Sequence, residues 1–565
     1  MKGTNGKVPA IRARAVKPGP LTAAAHFNRG LAHGLKGQYA KAIAAFTMAI
    51  KLDPKDAAAY SNRGAAYQLI GEYAKAIADF TTALKLDPGL AALYIHRGAA
   101  PGLKGDYRRA IADFTTAIKL DPKFALAYYN RGLARNGKGQ CAKAIADFTT
   151  AITLDPNLAA AYHTRGTAFT NAGEYGKAIA DFTTAIKLDP HDAGSYHNRG
   201  RAYYHKNQHD NSIADYTTAI GINPHYAASY IHRGSAYQLT GYYAKAIADF
   251  TTTIKLEPAN AVAYHYRGLA LALQDEHGQA LADFTTATKL DPAYALAFYS
   301  LGLAHSLNEE YAKAIAAFTS AIALDPKHAE AYYGRGEAYY NKYEFYDAVP
   351  DYTMAIKLGL KNAEVYFSRG LALRGTGKDY QAIADFTRTI KLDPAHVGAY
   401  DCRGTAFDMT GQYARAITDY TTVIKLAPQH APAYLSRGKS YNSLGEYAKA
   451  IADFTTVIKL EPKHVSAYYY RGAAYYHKAG YAKAIDDYNK AIALDPAHAR
   501  AYHDRGSSYY ARGQYANAIA DFTRALELNP QYADAYYDRG LAYHNKGDTA
   551  HAQADFDMAK ELGYK

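Results

Sequence analysis

The chain is poor in the residues that build covalent or metal frameworks. Among 565 residues there are two cysteines, Cys141 and Cys402, far apart in the sequence. Isolated thiols offer neither a disulfide framework nor a thiolate metal cluster, and they fit a reducing compartment. No apolar run approaches the roughly 20 residues of a membrane-spanning helix, and residues 1–22 lack the apolar core of a signal peptide. These absences predict a cytoplasmic protein without a membrane segment. A glycine-rich phosphate loop, a nucleophile motif and a spaced metal-ligand motif are also missing, so the expectation is no enzyme and no cofactor.

What the sequence does have is a period. An Arg-Gly pair recurs every 34 residues from Arg29 to Arg539, with one gap at Leu301. No insertion or deletion disturbs the register over 23–565, which therefore holds sixteen repeats. A fixed period of this length marks a stacked array in which each repeat buries its apolar face on its neighbours.

Repeat 2, residues 57–90, reads AAAYSNRGAAYQLIGEYAKAIADFTTALKLDPGL. Tyr60, Gly64 and Tyr67 share one stripe of a first helix, Gly71 supplies the turn, and Ala76, Phe80 and Ala83 form the facing stripe of a second helix. Pro88 ends that helix, because proline cannot continue the hydrogen-bond ladder. The prediction is an all-α solenoid of sixteen antiparallel helix pairs.

The pattern Tyr60, Gly64, Tyr67, Ala76, Phe80, Ala83, Pro88 resembles the tetratricopeptide repeat (TPR), with tyrosine where that family often has tryptophan. The resemblance implies a right-handed superhelix whose first helices line a concave groove that holds peptides or partner proteins. The departure is Arg63, at a place where the family more often carries a leucine-like residue.

Arg63 has a natural partner in Asp79 on the second helix. The aspartate place is filled in fourteen repeats; it is Ala45 in repeat 1 and Ala317 in repeat 9, which is also the repeat with Leu301. Cation and anion vanish together there, as a buried ion pair requires. The arginine row is therefore read as architectural, not as a phosphate-binding ladder.

The ends differ from the middle. In the last repeat the apolar stacking places become Gln553 and Lys560, as a terminal repeat with a polar outer face requires. Residues 1–22 carry Lys2, Lys7, Arg12, Arg14 and Lys17 with no acid and read as a disordered basic tail. Irregularities gather in 261–362: Asp275, Glu309 and Tyr343 replace the turn glycine, Pro350 enters a second helix, and Leu360 replaces the terminal proline. Pro101 likewise is expected to interrupt a first helix.

Function should reside in places the scaffold leaves free, which in the family are the second, fifth, sixth, ninth, twelfth and thirteenth of each first helix. Repeats 1–5 carry no formal charge there and offer Asn28, Asn62 and Asn130, with Asn198 following in repeat 6. This row partly resembles the asparagine ladder of the O-linked N-acetylglucosamine transferase superhelix, which implies a grip on peptide backbone through amides. Repeats 10–16 instead carry Glu330, Glu337, Glu364, Asp401, Asp408, Asp504, Asp534 and Asp538 against Arg374, Lys439 and Arg500, with Tyr470, Tyr476 and Tyr510 among them. Acids mixed with aromatics suit a basic, partly apolar peptide.

The expected function is a scaffold that holds partner protein or extended peptide, with a basic ligand preferred toward the C-terminal end. The alternative is a self-association scaffold in which the basic tail occupies the groove of its own or another copy. The net charge of +13 raises a third reading, an RNA-binding helical repeat, but an acidic groove opposes phosphate. His328, His396, His430, His464 and His498 share one place and stand about 10 Å apart, too far to share a metal. His205, His209 and Asp210 give only a weak metal hint.

Overall fold

The computed structural model describes residues 22–103 and 105–564. Among them are thirty-two helices and no strand, alternating as first and second helices of successive repeats. The basic tail lies outside the described residues, except for Thr22, which caps the first helix by accepting the Ala25 N–H at 3.2 Å. The chain divides into two compact units, Met1–Asp283 and Phe284–Lys565. No helix among the described residues is long and apolar enough to cross a membrane.

Numbered in chain order, α1 (Ala23–Leu35) and α2 (Tyr39–Leu52) form repeat 1, α3 (Ala57–Leu69) and α4 (Tyr73–Leu86) form repeat 2, and the alternation continues to α32 (Thr549–Glu561). The turn between α3 and α4 passes through Gly71 at φ +81°. Asn207, Asp275, Glu309, Tyr343 and Ala479 hold the same left-handed conformation at φ 57–63°. A side chain there costs about 1 kcal/mol relative to glycine, so the turn geometry persists where the glycine does not. Asp87 closes α4 by donating its N–H to Ala83 O at 2.8 Å.

Packing within a repeat is close because one partner has no side chain. Phe80 is fully buried, and a Cβ on Gly64 would lie 3.0 Å from its ring. Within each unit most successive first helices touch one another, as α1 does α3, whereas no comparable contact joins successive second helices among the described residues. The stack is thereby tighter on its first-helix side.

The arginine row does what its covariation suggested. In fourteen repeats, from Arg63–Asp79 to Arg539–Asp555, the guanidinium meets the aspartate across the helix pair. Arg63 Nε and Nη2 each donate to one Asp79 oxygen at 2.7 Å, a two-pronged fork. Its Nη1 reaches back to Thr47 Oγ1 of the preceding repeat at 3.1 Å, and the guanidinium lies 5.6 Å from the Tyr60 ring centre. Asn489 replaces the threonine in front of Arg505 and accepts the same bond at 2.6 Å. Arg29, without an aspartate and without a preceding repeat, is exposed.

The irregular segment keeps its helices. Pro350 sits inside α20 (Phe345–Lys357) without ending it. Gly359, at φ +116°, then stops the helix in place of the missing proline, and Leu360 donates its N–H back to Ala355 O at 3.0 Å. The interruption expected at Pro101 does not occur: α5 runs Ala91–Leu103, because a helix can bend around one missing donor near its end. At the other terminus Gln553 and Lys560 are exposed on α32.

Candidate functional site

Side chains on the first-helix faces are tied together by a register the 34-residue period hides. A fifth-place residue meets the sixth-place residue of the next repeat, 35 residues on. Tyr469 Oη donates to Asp504 Oδ2 at 2.8 Å, and His503 Nε2 lies 2.9 Å from Asp538 Oδ2. Tyr333 and Ser368 pair at 3.4 Å, as do His163 and Asn198. The sixth place, where the asparagines and two of the acids sit, therefore serves the stack as well as the groove.

The asparagines are held in different ways. Asn62 and Asn130 each donate from Nδ2 to a carbonyl of their own helix, Ala58 O and Leu126 O, both at 2.8 Å. One amide N–H and the carbonyl oxygen of each are left for another group. Asn198 turns to His163, and Asn28 has no hydrogen bond among the described residues.

The acids divide by exposure. Glu330, Glu364 and Asp534 are exposed. Glu337 and Asp408 are half-buried because they serve core tyrosines: Tyr352 donates to Glu337 Oε1 at 2.6 Å and Tyr420 to Asp408 Oδ2 at 2.9 Å. Ser440 also donates to Asp408 Oδ1 at 2.7 Å. Burial raises the Asp408 and Asp401 carboxyls above their ordinary range.

Those tyrosines stand where twelve repeats have phenylalanine; the others are Tyr216 and Tyr488. Their hydroxyls point from the core toward the ninth and twelfth places, and each needs an answer there. Tyr216 has none: its hydroxyl is sealed in without a partner. Tyr216→Phe is expected to stabilise repeat 6 by about 1–2 kcal/mol, the cost of one unmatched buried hydroxyl, seen as slower hydrogen exchange in 193–222. Faster exchange would show that the hydroxyl is satisfied in solution.

Asp504 and Asp538 hold a shared cation. His503 Nδ1 lies 2.9 Å from Asp504 Oδ1, opposite its contact with Asp538, and its side chain is 11% exposed. Burial alone would lower the imidazole pKa, but the bonds and charges of the two aspartates outweigh it and push it up to about 9. The imidazole is thus protonated at neutral pH. Across repeats 14–16, three groove carboxylates face Arg500 and this imidazolium, leaving a net charge of −1. Tyr470 has the Lys439 ammonium 4.6 Å from its ring centre, Tyr476 packs on Tyr481 at 5.4 Å, and Tyr510 accepts from Asn545 Nδ2 at 2.6 Å.

A serine, a histidine and an aspartate also meet in the N-terminal unit. Ser195 Oγ donates to Asp192 Oδ2 at 2.5 Å and lies 2.7 Å from His163 Nδ1. Burial would raise the Asp192 carboxyl, but its bonds with His163 and Ser195 hold it down at about 2. The group is no nucleophile: Ser195 is fully buried and its proton is committed to the carboxylate, not the imidazole. His396, His464 and His498 cap first helices, each Nδ1 accepting a backbone N–H at 3.1–3.2 Å. His205 stacks on Tyr175 at 5.0 Å and His209 meets Tyr204 at 5.5 Å. No group of three His, Cys, Asp or Glu residues that could hold a metal occurs among the described residues.

The family model described as TPR repeat matches 103–139, 166–206, 200–241, 307–342 and 506–547. Models described as tetratricopeptide repeat match 23–56, 57–90, 403–455, 435–499, 125–158, 227–260, 363–396 and 533–562. Together they cover well over half of the chain. The chain belongs to the tetratricopeptide repeat family. It is a helical scaffold for protein–protein interaction, of a generally non-catalytic kind. Solved TPR structures similar to it include MamA, 31% identical over 28% of this chain and 93% of that one, with a TM-score of 0.27. YrrB, described as a TPR protein with an unusual peptide-binding site, is 24% identical over 33% of this chain and 95% of its own, with a TM-score of 0.31. The Cut9–Hcn1 hetero-tetramer of the APC/C is 16% identical over 86% of this chain and 96% of that one, with a TM-score of 0.35. No curated protein matches the chain.

Proposed function

We propose that the first-helix faces bind extended polypeptide, gripped through its backbone along the N-terminal unit and selected for basic side chains along the C-terminal unit. The observation that carries this reading is the anchoring of Asn62 and Asn130 on their own helices. Each fixed amide presents one donor and one acceptor in a plane, the complement of a peptide group, and little side-chain freedom is lost on binding. Glu330, Glu364 and Asp534, exposed on first helices, supply the charge. Phosphate-bearing ligands would be repelled by the same groups.

A peptide-library selection tests the reading, with enrichment of lysine- and arginine-containing sequences expected. Changing Glu330→Gln, Glu364→Gln and Asp534→Asn together should weaken a selected peptide about tenfold and flatten its salt dependence. Asn62→Ala with Asn130→Ala should weaken peptides of any charge. Enrichment of acidic sequences, or none, would overturn the proposal. The basic tail, residues 1–22, has the right chemistry to be such a ligand; a chain lacking 1–22 would then bind outside peptides more tightly.

A further inference from the structure

A cavity of ≈ 310 Å³ opens on the first-helix side between α27 (Val465–His477), α29 (Ala499–Ala511) and α31 (Ala533–Lys546). Its lining includes Ala473, Tyr476, Tyr488, Ser507, the cluster of His503, Asp504 and Asp538, and a second imidazole, His477. Its floor is Tyr488, the fourth of the core tyrosines described above. Tyr488, on α28 (Tyr481–Leu494), is 1% exposed; unlike the sealed hydroxyl of Tyr216, its Oη opens into the cavity, and no side chain among the described residues hydrogen-bonds to it. The ninth place, which gives Tyr352 a carboxylate in Glu337, here is Ala473. A missing side chain thus leaves both a polar group without a partner and the space in front of it.

We infer that this cavity binds a single primary ammonium group, presented as a lysine side chain, against the Tyr488 hydroxyl and the Asp538 carboxylate. The inference rests on the proposed peptide-binding reading and names one subsite within it. Geometry selects ammonium over guanidinium. A planar guanidinium pairs best with a carboxylate whose two oxygens are both free. Asp504 has neither, since Oδ1 is held by His503 and Oδ2 by Tyr469, and Asp538 has given Oδ2 to His503. The remaining acceptors are single and separate: Asp538 Oδ1, the Tyr488 hydroxyl and Ser507 Oγ, whose proton goes to His503 O at 3.1 Å. Three tetrahedrally disposed N–H donors suit such a set. The alkyl stem would lie along Tyr476, and the net negative charge of the group is left for one cation.

The test uses the full chain and two probes. One is n-butylammonium chloride, followed by NMR of the His503 ring; the other is acetyl-Gly-Gly-Lys-Gly-Gly-amide, with its norleucine, arginine and acetyl-lysine counterparts, followed by calorimetry. The lysine peptide should bind at least tenfold more tightly than the other three. Tyr488→Phe, which installs the residue found in twelve other repeats and so should fold, should cost about fivefold. Ala473→Met, which fills the cavity, should abolish the preference. Butylammonium that shifts His503 in the wild type but not in Ala473→Met supports the subsite even if no peptide binds, in which case only the broader reading fails. Peptides that bind with no lysine preference, or equally well in Ala473→Met, overturn the subsite while leaving the broader reading standing. Absence of binding by both probes overturns it as well.

Discussion

Arg63→Leu should loosen repeats 1 and 2 by about 3–5 kcal/mol, the range for removing one partner of a buried ion pair. The loss comes from Asp79, which is 6% exposed and would be left with no cation in front of it. Thr47 Oγ1 would lose the Arg63 donor as well, keeping only its own bond to Ile43 O. Arg63→Leu combined with Asp79→Ala should recover most of the stability, because it installs the pair that repeat 9 already carries as Leu301 and Ala317. Hydrogen exchange over 57–90 is the right measurement, since a long array opens locally and one global midpoint would blur the effect. Losses that simply add in the double variant would rule out coupling between the two residues.

Alkaline pH should selectively loosen the end of the array. The His503 imidazolium has its pKa raised from 6.5 to about 9 in the folded chain. A raised pKa means that the folded state binds the proton more tightly than the unfolded state. Its stabilisation is fully present below about pH 6.5, and is lost as pH climbs through 9. The difference amounts to on the order of 3 kcal/mol. Protection in 499–546, corrected for intrinsic exchange rates, should therefore fall between pH 7 and pH 10 while that in 57–90 holds. His503→Tyr should flatten the profile, since a tyrosine there can donate to Asp538 as Tyr469 donates to Asp504. An unchanged profile in that variant would place the titrating group elsewhere.

Much of the scaffold could be read from residues alone, because its rules repeat. The Arg63–Asp79 pairing was visible in the joint loss at Leu301 and Ala317, and the polar final helix in Gln553 and Lys560. The groove was harder. Comparing like places at a spacing of 34 cannot reveal bonds that join places 35 apart, so the claims of Tyr469 on Asp504 and of His503 on Asp538 stayed hidden. Glu337 and Asp408 looked like open charge because their partners, Tyr352 and Tyr420, lie on second helices; the exchange of phenylalanine for tyrosine in those repeats was the available signal. Irregular residues misled in the other direction. Pro101 and Tyr343 break local preferences, but a helix and a turn fixed by their neighbours on both sides absorb them.

The threonine that receives the third arm of most of the paired arginines gives the array a direction. Arg63 looks back 16 residues to Thr47 and forward 16 to Asp79, and no arm reaches into a later repeat. On the ribosome, where the N-terminal end emerges first, Thr47 is already in place when Arg63 appears, and Asp79 follows within the same repeat. Each guanidinium can thus be neutralised before the next one is made. So short a span keeps loop closure cheap and docking fast. A protein of this length can then be laid down repeat upon repeat, with the newest edge as its one unfinished surface.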